Sequence, residues 1–349
     1  MATLEDLGGW PSVLGPLAAC HDLTRAEAGA AMAEILAGDA SPAQIAAFAV
    51  ALRMKGETVE EMSGLVSAML DFAEAVPLSA DTAAAVIDTC GTGGDRSGTI
   101  NVSTIAAFVA AGAGARVCKH GNRAASSKAG SADVLEALGV VIDLGPDAVA
   151  RCVEEAGMGF CFAARFHAAL RHAVPVRREL GIPTVFNFLG PLANPARVRR
   201  QVVGVSDPSM AEKVLGVLRA NGAHHALVVF GHDGLDELTT ADTSTVHELC
   251  NGEVRTYVVD PAELGFAPAT RGDLLGGDAA TNAALARSVL EGRRGPHRDI
   301  VVLNAAAALV ASGTSDDLVG GVASAEASID AGRAAAVLDD LVRVSAAAA

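Results

Sequence analysis

Three short stretches hold the residue types with chemistry to offer. The first is DTCGTGGDRSGTINVST, Asp88 to Thr104, which sets glycines and carboxylates directly after an apolar run, Ala83 to Ile87. The second is KHGNRAASSKAGSAD, Lys119 to Asp133, where Lys119, His120, Arg123 and Lys128 crowd together with Ser126, Ser127 and Ser131. The third is GHDGLDELTT, Gly231 to Thr240, with the adjacent carboxylates Asp236 and Glu237.

Gly91, Gly93 and Gly94 permit positive φ and let backbone N–H groups approach a ligand closely. The run Asn101, Val102, Ser103, Thr104 then opens a helix predicted over Ile105 to Ala111, whose free N–H groups and positive dipole end favour an anion such as phosphate. The loop is not a Walker motif, because Asp95 stands where lysine and Ser/Thr should follow, and G-x-G-x-x-G is not matched. An aspartate beside a phosphate repels it unless a cation intervenes, so Asp95 points to Mg²⁺ or to sugar hydroxyls. Asp236 and Glu237 diverge in a regular strand but converge in a turn, and Mg²⁺ takes few carboxylates together with phosphate oxygens and water. Each stretch alone has an ordinary reading: a structural turn, a solvated basic loop, a decorated surface. Together they describe a site for a polyphosphorylated sugar with Mg²⁺, in which leaving-group stabilisation is the main catalytic effect.

The elements that must position these residues fall into two textures. Thr24 with Glu27, Ser41 with Gln44 and Thr58 with Glu61 fit capping boxes, each followed by apolar spacing near 3.6. Residues 1–78 therefore read as a small helical domain. Residues 79–349 read as an α/β domain with a largely parallel sheet, from apolar runs at 85–88, 116–119, 140–144, 159–163, 202–205, 226–230 and 253–260 separated by alanine-rich helical stretches. Three helices, near 278–291, 298–312 and 321–341, are predicted to close the chain. The segment 175–195, punctuated by proline and glycine, breaks this rhythm and reads as an excursion packing near the helical domain, with a ligand cleft beside it.

Composition excludes several classes. The 349 residues are 51% hydrophobic and only 3% aromatic, with a net charge of −15, so a large core is available and a basic footprint for nucleic acid is missing. No apolar stretch is long enough to span a bilayer, and the start lacks a secretory pattern, so a cytoplasmic location is expected. Six cysteines lack C-x-x-C or zinc-type spacing. Cys90 abuts the glycine loop without an activating base and reads as packing.

The combined motifs closely resemble the anthranilate phosphoribosyltransferase family: GTGGD at 91–95, T-x-N-x-S-T at 99–104, KHGNR at 119–123, SSKAGSADVLEALG at 126–139, RRELGIPTVFNFLGPLANP at 177–195, GHDGLDELT at 231–239 and NAAAAL at 304–309. Their order and spacing cover nearly the whole chain. The resemblance implies a homodimer, formed through the helical domain, that transfers 5-phosphoribose from phosphoribosyl diphosphate to the amine of anthranilate with two Mg²⁺ ions. It places Gly91, Gly94, Asp95, Thr99, Asn101, Val102, Ser103, Thr104, the run Lys119, His120, Gly121, Asn122, Arg123, Ala124, Ala125, Ser126 and Ser127, and Ser131 around phosphoribosyl diphosphate. It gives Ser103, Asp236 and Glu237 to the metal, and Gly91, Asn122, His167 and Arg177 to anthranilate. Arg177 suits a carboxylate, which guanidinium grips in a bidentate fork. No general base is assigned: His120 and His167 are candidate proton acceptors, with a structural role as the alternative. Ala164 and Ala169 stand where the family often has proline, which bears on the acceptor pocket, and Ile100 replaces a common phenylalanine. A nucleoside phosphorylase on the same fold is the nearest rival, and GTGGD with the metal pair argues against it.

Overall fold

The structure is a computed structural model describing residues 3–124 and 128–349. The expected site residues Ala125, Ser126 and Ser127 lie outside the described residues. It combines an N-terminal helical bundle with a large α/β unit.

Three N-terminal helices begin where their side chains satisfy the first free N–H groups. Thr24 Oγ1 accepts from the Glu27 amide at 3.3 Å, while Glu27 accepts from the Thr24 amide at 2.8 Å. Ser41 with Gln44 and Thr58 with Glu61 repeat this reciprocal cap on the helices Pro42–Lys55 and Val59–Phe72. Each such cap contributes about 0.5–2 kcal/mol.

Among the described residues, seven strands form one sheet in the order β3-β2-β1-β4-β5-β6-β7. They are β1 (Ile87–Gly91), β2 (Val117–Gly121), β3 (Met158–Phe162), β4 (Arg200–Gly204), β5 (His225–Gly231), β6 (Ser244–Cys250) and β7 (Glu253–Val259). The first five pair in parallel, and β6 and β7 extend the sheet antiparallel. Buried side chains alternate between two cores. Ile87, Val202, Leu227 and Val229 face one that includes helices Val102–Gly112 and Pro296–Ser312. Cys90, Val203, Ala226 and Val228 face another that includes helix Ala211–Ala220, the N-terminal helices and residues of 173–193. Both faces being covered is what a parallel sheet requires, and the second core seats the predicted excursion against the N-terminal helices.

Three readings of the sequence are corrected. The run 140–144 is not a strand. Val140, Ile142 and Leu144 are buried, but the Val141 amide donates to Ser345 Oγ at 3.1 Å, so the last helix takes the place of a neighbouring strand. Strand β6 was not predicted, because the polar residues of STVHELC break up its apolar signal. The chain closes with four helices, not three: Gly332, at φ 72°, separates Leu318–Asp330 from Arg333–Ala348.

Candidate active site

Chain order reverses between β1 and β4, and the segments predicted to do chemistry leave the sheet at its C-terminal edge. That crevice is where open parallel sheets bind ligands. Gly91 ends β1, Gly204 ends β4, Gly121 ends β2, and the turn bearing Asp236 and Glu237 follows β5.

Asp236 sits at the reversal. A Cβ on Gly204 would lie 1.6 Å from the Asp236 carbonyl oxygen, and one on Gly91 would lie 2.3 Å from Asp236 Oδ2. Gly91 is therefore needed for space, not for positive φ as expected. Gly93 and Gly94 do take positive φ, at 66° and 86°. The glycine loop is tied to β4: the Thr92 amide donates to Gly204 O at 2.8 Å, and Ser206 Oγ donates to Gly93 O at 2.8 Å. On its other flank the Ile100 amide donates to Leu274 O and the Gly276 amide to Gly98 O, with Thr99 bridging Leu275.

The carboxylates are held by backbone amides. Asp236 Oδ2 accepts from the Gly93 amide at 2.7 Å, and Glu237 Oε1 from the Ser103 amide at 3.1 Å, at the start of helix Val102–Gly112. Burial, then the charge of Asp95, pushes the Asp236 carboxyl well above the usual carboxylate range. Burial and Asp236 do the same to Glu237, with Lys119 opposing. Asp236 and Glu237, with Asp95 near them and the Ser103 hydroxyl beside them, form a hard-oxygen donor set suited to a divalent cation. They do not collapse into one compact cage, which fits Mg²⁺ sharing its shell with phosphate and water.

Lys119 lies beneath this floor. It is 2% exposed, and its Nζ donates to Thr89 O and, at 3.2 Å, to Ser103 Oγ. Arg123 Nη1 is engaged by Asp133 and Glu136. Asp133 Oδ2 in turn accepts from the Ala124 and Gly130 amides at 3.0 and 2.8 Å, which closes the loop, and Ser131 Oγ donates to Asn122 O at 3.3 Å. Asn101 is fixed by Asn282 Nδ2 at 2.9 Å. Thr104 is buried, and Val102 packs into the core.

His120 does not follow its neighbours in the predicted phosphate-lining run. Alternation along β2 turns its ring to the other face. There Nδ1 donates to Gly190 O at 3.0 Å and the ring lies 5.1 Å from His167. His167, at the turn between Ala163–Phe166 and Ala168–His172, donates from Nε2 to Ala193 O at 2.9 Å. Burial, then His167, pushes His120 down to about 3, and burial also lowers His167, so both rings are neutral at pH 7. Arg177, on helix Val174–Leu180, stacks its guanidinium 5.6 Å from the Phe186 ring centre. Burial works against its charge, and no carboxylate pairs with it among the described residues. Phe186 opens the segment whose Gly190 carbonyl holds His120, so Arg177 and the histidines belong to one wall.

Sequence reasoning missed what anchors that wall. Asp88 is fully buried in β1 and accepts from the His120 amide at 3.1 Å and from Asn194 Nδ2 at 2.8 Å. Asn194 also donates to Cys118 O at 2.8 Å, and Gln201 Nε2 reaches Asp88 at 3.4 Å. The available signal was a carboxylate inside an apolar strand. Cys90, buried and donated to by Gln201, has its thiol pushed well up by burial, which agrees with a packing role.

Residues 83–335 match the glycosyl transferase family a/b domain, and residues 11–73 match the glycosyl transferase family helical bundle domain. The anthranilate phosphoribosyltransferase of Rhodococcus jostii (strain RHA1) is 56% identical over 335 residues, covering 94% of this chain and 91% of that one. The crystal structure of anthranilate phosphoribosyltransferase from Thermus thermophilus superposes with a TM-score of 0.90 at 41% identity, covering 96% of this chain and 99% of that one. The Saccharomyces cerevisiae enzyme in complex with PRPP and Mg superposes with a TM-score of 0.88 at 27% identity, covering 97% and 98%.

Proposed function

The chain belongs to the anthranilate phosphoribosyltransferase family, and from that premise we propose how its cleft transfers 5-phosphoribose from phosphoribosyl diphosphate to the amine of anthranilate. The observation that carries the reading is the meeting of Asp236, Glu237, Asp95 and the start of helix Val102–Gly112 at the sheet's reversal point.

Asp236 and Glu237, with Ser103 Oγ, would hold two Mg²⁺ ions, whose charge offsets that of the departing diphosphate. The glycine loop with Gly94 and Thr99, the helix start at Asn101 to Thr104, and Gly121, Asn122 and Ser131 border the diphosphate and ribose. Lys119 orients the Ser103 hydroxyl and compensates Asp88 and Glu237 from below. Arg177 binds the anthranilate carboxylate, its desolvated guanidinium being short of an anion, and Asn122 and His167 border the ring. An aromatic amine is neutral at pH 7 and needs no strong base. His120, lowered to about 3, is a poor proton acceptor there, and its ring positions the acceptor wall. Two copies associate through the N-terminal helices, where Met54 is 82% exposed, and the protein works in the cytoplasm. No helix among the described residues is long and apolar enough to cross a membrane.

The test is to mix the protein with Mg²⁺, phosphoribosyl diphosphate and anthranilate and follow anthranilate fluorescence alongside diphosphate release. Equal consumption and release is the expected result. No change, with phosphate-dependent cleavage of a pyrimidine nucleoside instead, would establish the phosphorylase reading.

A further inference from the structure

A second cationic locus stands apart from the cleft. A cavity of about 220 Å³ is lined by Ser288, Arg293, Arg294, Gly295, His297 and Arg298, at the N-terminus of the 17-residue helix Pro296–Ser312. In a chain of net charge −15, this basic cluster is unexplained by the transfer reaction. The helix cap is Gly295, whose carbonyl accepts from the Arg298 and Asp299 amides. Arg298 is only 3% exposed. Its Nη1 pairs with Asp330 at 2.7 Å and donates to Gly292 O at 3.2 Å, while its Nη2 is buried with no acceptor among the described residues. Leaving a buried donor unpaired is costly, and Arg298 itself lines the cavity. The opposing charges are these. Asp330 is shared with Arg294 at 3.9 Å, Asp299 lies in the helix's first turn, partly buried and disfavoured as an anion by that burial, Glu326 stands near Asp299, and Asp273 near His297. Arg293 has no carboxylate partner among the described residues.

We propose that this cavity is a binding site for a small oxyanion of the phosphate class, gripped by Arg293, Arg294 and Arg298 at the helix N-terminus. The positive dipole end favours negative charge there, and guanidinium forks match phosphate geometry. The volume falls below the roughly 300–1,000 Å³ of pockets for drug-sized ligands, which selects a small anion over a nucleotide. The cavity is separate from the catalytic cleft, sharing none of its ligands. The two approach through Leu275, whose carbonyl accepts from His297 Nε2 at 3.1 Å and whose backbone bridges Thr99.

The test titrates inorganic phosphate into full-length protein labelled with ¹⁵N-arginine and follows the side-chain Nε–H signals. Arg293, Arg294 and Arg298 are expected to shift along one saturable curve, unaltered by saturating phosphoribosyl diphosphate and Mg²⁺. Replacing both exposed residues, Arg293→Gln with Arg294→Gln, is expected to weaken that curve about tenfold or more without changing turnover. A linear drift that chloride reproduces at equal ionic strength would overturn the proposal. So would displacement of the shifts by phosphoribosyl diphosphate, which would assign the phosphate to the catalytic cleft.

Discussion

The carboxylate side of the cleft and the acceptor wall are held in place by different means. Asp236 and Glu237, after β5, are fixed by amides of the segment that leaves β1, through single hydrogen bonds to Gly93 and Ser103. Arg177 and His167 ride on an excursion, 163–195, fastened from behind by Asp88, Asn194 and Gln201 and packed on the N-terminal helices. The first arrangement is local to the sheet's edge and places like charges together at a cost in stability. The second depends on tertiary packing and keeps one cation short of a partner. The diphosphate side is thus poised by electrostatic tension, the acceptor side by shape.

If that contrast is right, replacements on the two sides separate in what they disturb. The largest effect is expected for Glu237→Gln, which should lower kcat by about 10²–10³-fold while leaving the anthranilate KM within a few-fold. Steady-state kinetics with both substrates varied checks it, and an equal loss in anthranilate affinity would erase the distinction. Next, Arg177→Ala should raise the anthranilate KM by about 10–100-fold, the size of a lost charged hydrogen bond, with phosphoribosyl diphosphate binding unchanged.

A third expectation concerns pH. The folded-state carboxyls of Asp236 and Glu237 are raised above their unfolded values. Their neutral forms are therefore tolerated at acid pH, and stability falls as pH rises through the raised values. Without added Mg²⁺, Asp236→Asn should raise Tm at pH 8 and leave it unchanged near pH 4. Added Mg²⁺ should narrow the gap. A variant less stable than wild type at pH 8 would show that the carboxylates are not under strain. The smallest effect belongs outside both sides: Thr24→Ala should cost about 1 kcal/mol in denaturant unfolding and move neither KM.

The same contrast explains what was legible in the sequence. Glycine loop, basic loop and acid pair each follow a strand directly, so contiguous residues carried their meaning, and the three capping boxes declared their helices. The excursion that carries the acceptor wall was legible from its proline and glycine punctuation, but the roles of its residues only through resemblance. The partnership of Asp88, Asn194 and Gln201 joins residues about a hundred positions apart, which no local pattern encodes. The turning of His120 away from Lys119 followed from β2 being a strand, but its consequence needed the excursion's position. The pairing of Arg123 with Asp133 and Glu136 was not legible, because only the turn into helix Ser131–Ala137 brings those acids back to it. The run 140–144 had strand composition, and only the last helix, far along the chain, decided otherwise.

The central claim, that Asp236 and Glu237 seat the cation on which the diphosphate depends, is tested most directly by calorimetric titration of phosphoribosyl diphosphate with and without Mg²⁺, into wild type and into the variant Asp236→Asn with Glu237→Gln. The account predicts that Mg²⁺ tightens binding in the wild type and has no such effect in the variant. An undiminished response to Mg²⁺ in the variant would contradict it.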